Sequence, residues 1–133
     1  LNENSTWDTT LLCARYALEK KAYDLTVMEV GPLSSVADYF IICTGRSSTH
    51  VQAIAQSIEY NLKQHGRQAL SIEGHASARW VVLDYGDIVA HVFYAPVRAF
   101  YDLERLWSQA RRPALPEPYQ SQADGLKTGT EGL

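Results

Sequence analysis

The stretches RWVVLDY and IVAHVFYA are separated by only two residues, Gly86 and Asp87. A link that short forces two extended segments to fold back as a hairpin. Gly-Asp favours a type II′ turn, because glycine accepts the positive φ of the first turn position. The turn then fixes the register: Tyr85 faces Ile88, Asp84 faces Val89, Val82 faces His91 and Trp80 faces Phe93. Alternation along both strands puts Val81, Leu83, Tyr85, Ile88, Ala90, Val92 and Tyr94 on one face, and Trp80, Val82, Asp84, Val89, His91 and Phe93 on the other. The first face is the more uniformly apolar and is expected to meet helices. The second mixes large aromatic rings with two titratable groups, which leaves three readings open: a catalytic site, a core, or a docking face.

The remaining segments supply layers for this hairpin. Ser5 and Asp8 have capping-box spacing at the head of a helix over 5–21, in which Trp7, Leu11, Ala14 and Leu18 form one stripe. Residues 24–30 and 39–44 are strands with apolar residues on both sides, the pattern of interior positions. Gly31-Pro32 ends the first of them, and LSSVAD between the two is expected to make a single helical turn. A helix follows TGRSS: Thr49 and Gln52 repeat the capping-box spacing, Val51, Ile54, Ile58 and Leu62 line its buried side, and Gly66 supplies the left-handed residue that closes it. Residues 70–73 alternate as a half-buried strand, so strand, helix and strand form a βαβ crossover, expected to be parallel and right-handed. Pro96 opens a last helix with Phe100, Leu103, Leu106, Trp107 and Ala110 on one broad face. From Arg111 onward three prolines and three glycines interrupt any periodicity, which predicts a disordered tail. The expected architecture is a single-domain α/β sandwich, that is, an α+β mixed sheet with a crossover, a C-terminal hairpin and flanking helices. Its folded part is expected over 1–110 and its tail over 111–133.

Composition narrows the function. A chain of 133 residues is large enough for one domain with a real core. A net charge of −3 and a pI of about 5.8 argue against a protein that wraps nucleic acid, which needs clustered Lys and Arg; a local RNA contact stays open. Of the two cysteines, Cys43 lies in the apolar run YFIICT and reads as a small buried hydrophobe. There is no CxxC and no Cys/His pair at zinc-ligand spacing, so no structural metal is expected. No apolar run approaches the roughly 18 residues of a membrane span. With no signal-peptide pattern and reduced cysteines, the cytoplasm is the expected compartment.

Two arrangements carry a catalytic possibility. His91 lies diagonal to Asp84 on the second hairpin face, where an aspartate would orient a histidine base. The available hydroxyls, Ser34, Ser35, Ser47 and Ser48, sit in no GxSxG elbow, and the commoner outcome is a partly buried polar pair that satisfies itself. The turn TGRSS, Gly45 to Thr49, precedes a helix and has the form of a phosphate cradle; it also resembles the Gly-Ser turn of the nucleotidyltransferase fold. Those enzymes hold Mg²⁺ with two carboxylates on the next strand, and LSIE offers Glu73 alone. Against both stands docking: Trp80, Val82 and Phe93 with a few charges have the composition of an interface core with a polar rim.

The blocks DLTVMEV, LSSVADYFIICTG, SSTHVQAIA, IEGHASARWVVLDYGDIVAHVF and FYDLERLW, in this order, closely resemble the ribosomal silencing factor family, also called Iojap. The likeness runs from about Leu11 to Trp107, with Ala90-His91 a small departure. The resemblance implies a protein that is not an enzyme and needs no cofactor or metal. It implies binding to the large ribosomal subunit through that subunit's fourteenth protein, on the face that meets the small subunit. Subunit joining is then blocked and translation is repressed when nutrients are scarce. Organellar relatives assist large-subunit assembly. The resemblance also implies a nucleotidyltransferase-like fold without the catalytic carboxylates, allows a homodimer and a minor contact with ribosomal RNA, and involves no membrane. Carried over by the motif RW-x-x-LDYGD, the partner-binding surface comprises Trp80, Val82, Asp84, Tyr85, Gly86 and Asp87. Trp80 would be the anchor, Asp84 and Asp87 the acidic complement of a basic ribosomal protein, and Tyr85 a rim or core contact. Tyr85 points away from Trp80, so both would touch a partner only at the strand edge or hairpin tip. The alternative kept open is a nucleotide-binding, nucleotidyltransferase-like enzyme using the TGRSS turn.

Overall fold

The hairpin forms in the register its turn dictates: Trp80 pairs with Phe93, Val82 with His91 and Asp84 with Val89. Gly86 takes φ 90°, a value open to glycine and strained for other residues. The structure, a computed structural model, describes residues 5–123. Its elements are α1 (Thr6–Glu19), β1 (Tyr23–Glu29), β2 (Tyr39–Gly45), α2 (Ser48–Gln64), β3 (Ser71–Glu73), β4 (Trp80–Asp84), β5 (Ile88–Tyr94), α3 (Ala95–Tyr101) and α4 (Leu103–Leu106). The five strands form one mixed sheet in the order β1-β2-β5-β4-β3. Only β2 and β5 pair in parallel; the other neighbours are antiparallel. Following those directions across the sheet, β2 and β3 run the same way, as the crossover through α2 requires, with β5 and β4 between them.

The two faces of the sheet are covered unequally. On one, Leu25, Val27, Ile41, Cys43, Val81, Leu83, Ile88 and Val92 are buried beneath α1 and α2. On the other, Met28, Phe40, Ile42, Val89 and Phe93 are covered by Val97, Leu103 and Trp107, from two short helices and the turn after them. Strand β1 is therefore apolar on both sides as expected, but it is an edge strand rather than an interior one. Its outer edge is partly closed by Arg111, whose carbonyl accepts a hydrogen bond from the Glu29 N–H at 2.8 Å.

Local hydrogen bonding explains the helix ends. Ser5 Oγ accepts from the Asp8 N–H at 3.1 Å and starts α1. The cap of helix α2 is Ser47, two residues before the expected Thr49. Ser47 Oγ accepts from the His50 N–H at 3.0 Å, and His50 Nδ1 accepts from the Arg46 N–H at 2.9 Å. The helix start is thus closed by Ser47 and His50, the histidine reaching the N–H of the residue before the cap, while Gln52 donates to the His75 carbonyl at 3.1 Å. At the other end Gly66 adopts φ 82°, the Gly66 N–H donates to the Lys63 carbonyl and the Arg67 N–H to that of Leu62. This is a Schellman closure.

Three further expectations are corrected. LSSVAD forms no helical turn; the turn comes earlier, where the Ser34 N–H donates to the Val30 carbonyl. The last helix does not run continuously with one broad face. Asp102 sits in the left-handed region at φ 48° and splits it into α3 and α4. Phe100 (80% exposed) and Leu106 (77%) then face solvent, while Leu103, Trp107 and Ala110 pack on the sheet. The Arg98 guanidinium holds this break: it donates to Glu104 Oε2 at 2.7 Å, to the Asp24 carbonyl at 2.6 Å and to Thr44 Oγ1 at 2.7 Å. Nor is the segment after Arg111 a disordered tail up to residue 123. Leu115 and Ala123 are buried and Tyr119 packs against the helix-side core, so the folded body passes the boundary expected at residue 110. Residues 124–133 of the expected tail lie outside the described residues.

Candidate docking face

Trp80 opens β4 on the thinly covered face. The loop before it is closed tightly: Gly74 has φ 85°, and a Cβ there would lie 2.0 Å from the Trp80 carbonyl oxygen. The indole stacks on Phe93 with centroids 4.8 Å apart and leans against Tyr101 at 5.0 Å. Its Nε1–H donates to His91 Nδ1 at 3.1 Å. Beside it opens a cavity of about 490 Å³ lined by Ser77, Arg79, Trp80, Pro96, Phe100 and Tyr101, among others. Val82 and Asp84 lie further along the same face of β4, both half-buried.

The Asp84–His91 pair does not form. Asp84 Oδ1 accepts from the Gly86 N–H at 2.8 Å and serves the turn, while His91 turns to Trp80 on the opposite diagonal. Burial drives the His91 imidazole down to about 4, against the pull of the Asp84 charge, so it is neutral near pH 7. No catalytic pair is assembled here, and Ser47, one of the candidate hydroxyls, is used as a helix cap.

Tyr85 is buried (5% exposed) on the helix side of the hairpin, with the Arg67 guanidinium 6.0 Å from its ring centre. Burial pushes its phenol well above the ordinary range. Its side chain therefore belongs to the core and does not share a surface with Trp80. Asp87 is not a free acid either. Burial works against its charge, but Arg67 at 2.6 Å and the Thr6 hydroxyl at 3.0 Å outweigh it and hold the carboxyl below its usual value. Arg67 also donates to Thr9 Oγ1 at 3.0 Å. The end of α2, the start of α1 and the hairpin tip are thus tied together, and Gly86 and Asp87 are held rigidly beside Asp84. Sequence pattern gave no sign of this clasp, because its members are spread from Thr6 to Asp87.

The TGRSS turn is filled by its own residues. A Cβ on Gly45 would lie 2.9 Å from Val51 Cγ2 and 3.0 Å from the Val51 nitrogen, so this glycine serves close strand–helix packing. The Arg46 and His50 amides are taken by the cap. Glu73 is exposed on the edge strand β3. Among the described residues, no group of three or more His, Cys, Asp or Glu is gathered to hold a metal ion, and no helix is long and apolar enough to cross a membrane. Both thiols are free and buried; burial pushes Cys43 up to about 12.

The scaffold is a mixed sheet with two long helices on one side, and a half-buried tryptophan with neighbouring exposed aromatics on the other. Comparison with known proteins places the scaffold more closely. The family described as ribosomal silencing factor during starvation matches residues 3–131, and the chain belongs to this family. It is 45% identical over 92 residues to the ribosomal silencing factor RsfS of Bacillus subtilis, covering 69% of this chain and 78% of that protein. It is 31% identical to a mouse protein named mitochondrial assembly of ribosomal large subunit protein 1, over 68% of this chain and 41% of that one. A crystal structure of a protein from Chromobacterium violaceum superimposes with a TM-score of 0.77 at 31% identity, covering 87% of this chain and 98% of that chain. A Bacillus halodurans structure gives 0.75 at 34% identity, covering 83% and 100%.

Proposed function

We propose that this protein is a non-enzymatic translation repressor that binds the large ribosomal subunit on the face that meets the small one, and so blocks their joining. The fourteenth protein of the large subunit is the partner in this reading, and the cytoplasm the compartment. The observation that carries it is Trp80: a large aromatic side chain, half-buried and hydrogen-bonded in place, on the sheet face that among the described residues has no long helix over it. Such a residue is the usual centre of a binding hot spot. Val82, Asp84 and the backbone at Gly86 extend the contact along β4 to the hairpin tip. Tyr85 and Asp87 support it from behind, the first as core and the second through Arg67. A chain of pI about 5.8 meeting a basic ribosomal protein would also be steered by opposite fields.

The test is co-sedimentation of the protein with purified large subunits, small subunits and joined ribosomes in parallel. Selective pelleting with free large subunits is the expected result, and Trp80→Glu should abolish it while leaving the cooperative unfolding transition in place. Pelleting with none of the three at low salt, with folded protein, would refute the reading. Near-wild-type binding by folded Trp80→Glu would remove Trp80 from the interface.

A further inference from the structure

We propose that His91 is the positioning residue for Trp80: its Nδ1 lone pair captures the indole N–H and holds the ring in the orientation presented to the partner. This rests on the reading that the Trp80 face docks. The geometry supplies the argument. The Trp80 Nε1–H donates to His91 Nδ1 at 3.1 Å, so Nδ1 carries no proton and Nε2 must carry one. That Nε2 is buried and finds no hydrogen-bond partner. The imidazole is 6% exposed, 4.8 Å from the Phe40 ring centre and 6.3 Å from that of Phe93. A phenylalanine would suit this aromatic layer without leaving a buried N–H unsatisfied, which is a destabilising feature in itself. What histidine provides and phenylalanine does not is an acceptor for the indole.

The rest of the surroundings leaves the ring dependent on that acceptor. Phe93 and Tyr101 contact the indole through their rings, at 4.8 and 5.0 Å, and ring contacts set its plane more than which edge of the ring, with or without the N–H, faces β5. The cavity along Ser77, Arg79, Phe100 and Tyr101 gives it room to move outward. The hydrogen bond to His91 is directional and ties the indole across the hairpin to β5, one of the central strands of the sheet. A preorganised anchor avoids the ordering cost that a swinging side chain meets on binding.

Two substitutions with the same Cγ branching and the same number of side-chain heavy atoms separate packing from hydrogen bonding. His91→Leu deletes the acceptor, whereas His91→Asn keeps an oxygen close to the Nδ1 position. The readouts are the dissociation constant for purified large subunits and the ¹⁹F resonance of 5-fluorotryptophan at Trp80, assigned with Trp80→Phe. His91→Leu is expected to weaken binding about three- to tenfold, the size of one hydrogen bond's net contribution, and to shift and broaden the Trp80 resonance. His91→Asn should restore most of both. In a Trp80→Phe background, which has no indole N–H, His91→Leu should cause no further loss. Equal losses for Leu and Asn, or the same loss in the Trp80→Phe background, would overturn the proposal, since His91 would then act by packing alone. If His91→Leu does not fold, His91→Phe carries the same test. The ¹⁹F signal also separates the two ideas. Binding unaffected by any Trp80 substitution defeats the docking reading, yet a resonance disturbed by Leu and preserved by Asn still supports positioning by His91; a resonance unchanged by Leu overturns it.

Discussion

Acid should loosen this fold through His91 before it reaches the carboxylates, and replacing that one side chain should remove the effect. An ordinary imidazole takes up its proton near 6.5, and the folded His91 near 4, because burial disfavours the charged ring. Between those values the unfolded chain binds more protons than the folded one, so stability rises with pH across the window. The contribution is complete above 6.5 and is lost as pH falls towards 4. One unit corresponds to about 1.4 kcal/mol, so the whole window of some 2.5 units carries about 3 kcal/mol, a large share of a typical domain's 5–15 kcal/mol. Asp87 and Glu104 also favour the fold when charged, but burial is outweighed there by Arg67 and Arg98 and their carboxyls are held low, so their losses come at lower pH. Urea unfolding of wild type and His91→Phe at pH 7.5, 6.0, 5.0 and 4.5 gives the answer. The phenylalanine variant removes the titration and keeps an aromatic ring, and the other three histidines cancel in the comparison. Wild-type stability should fall by roughly 2–3 kcal/mol more than the variant's between pH 7.5 and 4.5. Parallel pH profiles for the two proteins would refute the argument, because His91 would then titrate as it does in the unfolded chain.

Two other perturbations follow from the packing. Asp87→Ala should destabilise the fold by about 1–3 kcal/mol, since it leaves the Arg67 guanidinium, only 19% exposed, without its carboxylate; Arg67→Ala together with Asp87→Ala should cost less than the two separate losses summed, and additive chemical-denaturation values would show that the clasp is not coupled. Leu115→Ala should lower stability by about 2–4 kcal/mol, as expected for truncating a buried leucine, and unchanged thermal unfolding would mean that the segment after Arg111 does not pack in solution.

What the amino-acid pattern made legible was what side chains report. Period-two alternation around a two-residue link gave the hairpin, its register and the division of its faces, because pleat and turn leave no other solution. Helix stripes at Val51, Ile54, Ile58 and Leu62 gave the buried side of α2 for the same reason. Edges were not legible. Tyr23–Glu29 carries apolar residues on both sides because two layers cover it, and whether a neighbouring strand lies beyond it is a matter of backbone pairing that side chains do not record. The break at Asp102 was hidden as well, since Phe100, Leu103 and Leu106 fit one continuous helix until the Arg98 contacts to Asp24, Thr44 and Glu104 are known. After Arg111 the prolines masked a shorter signal: Leu115, Tyr119 and Ala123 recur every four residues, and all three meet the helix-side core.

The Trp80 face of the hairpin shows most clearly where sequence reasoning stopped one step short. With Gly86 and Asp87 in the turn, His91 faces Val82, and two residues of β4 lie on its diagonals: Asp84 towards the tip and Trp80 towards the open end. Chemical habit favours the carboxylate, which gives an acid–base pair. Asp84, however, has a nearer donor in the Gly86 N–H, and the turn that fixes the register also supplies that donor. An indole is long enough to cross the other diagonal and brings an N–H that needs an acceptor. The same two-residue link therefore decides both questions. It occupies Asp84, burial keeps His91 neutral and so able to accept, and the register places Trp80 where that acceptor is within reach. The same observation that leaves no Asp84–His91 pair supports the proposed recognition role: the imidazole is buried, uncharged and bonded to the indole of Trp80.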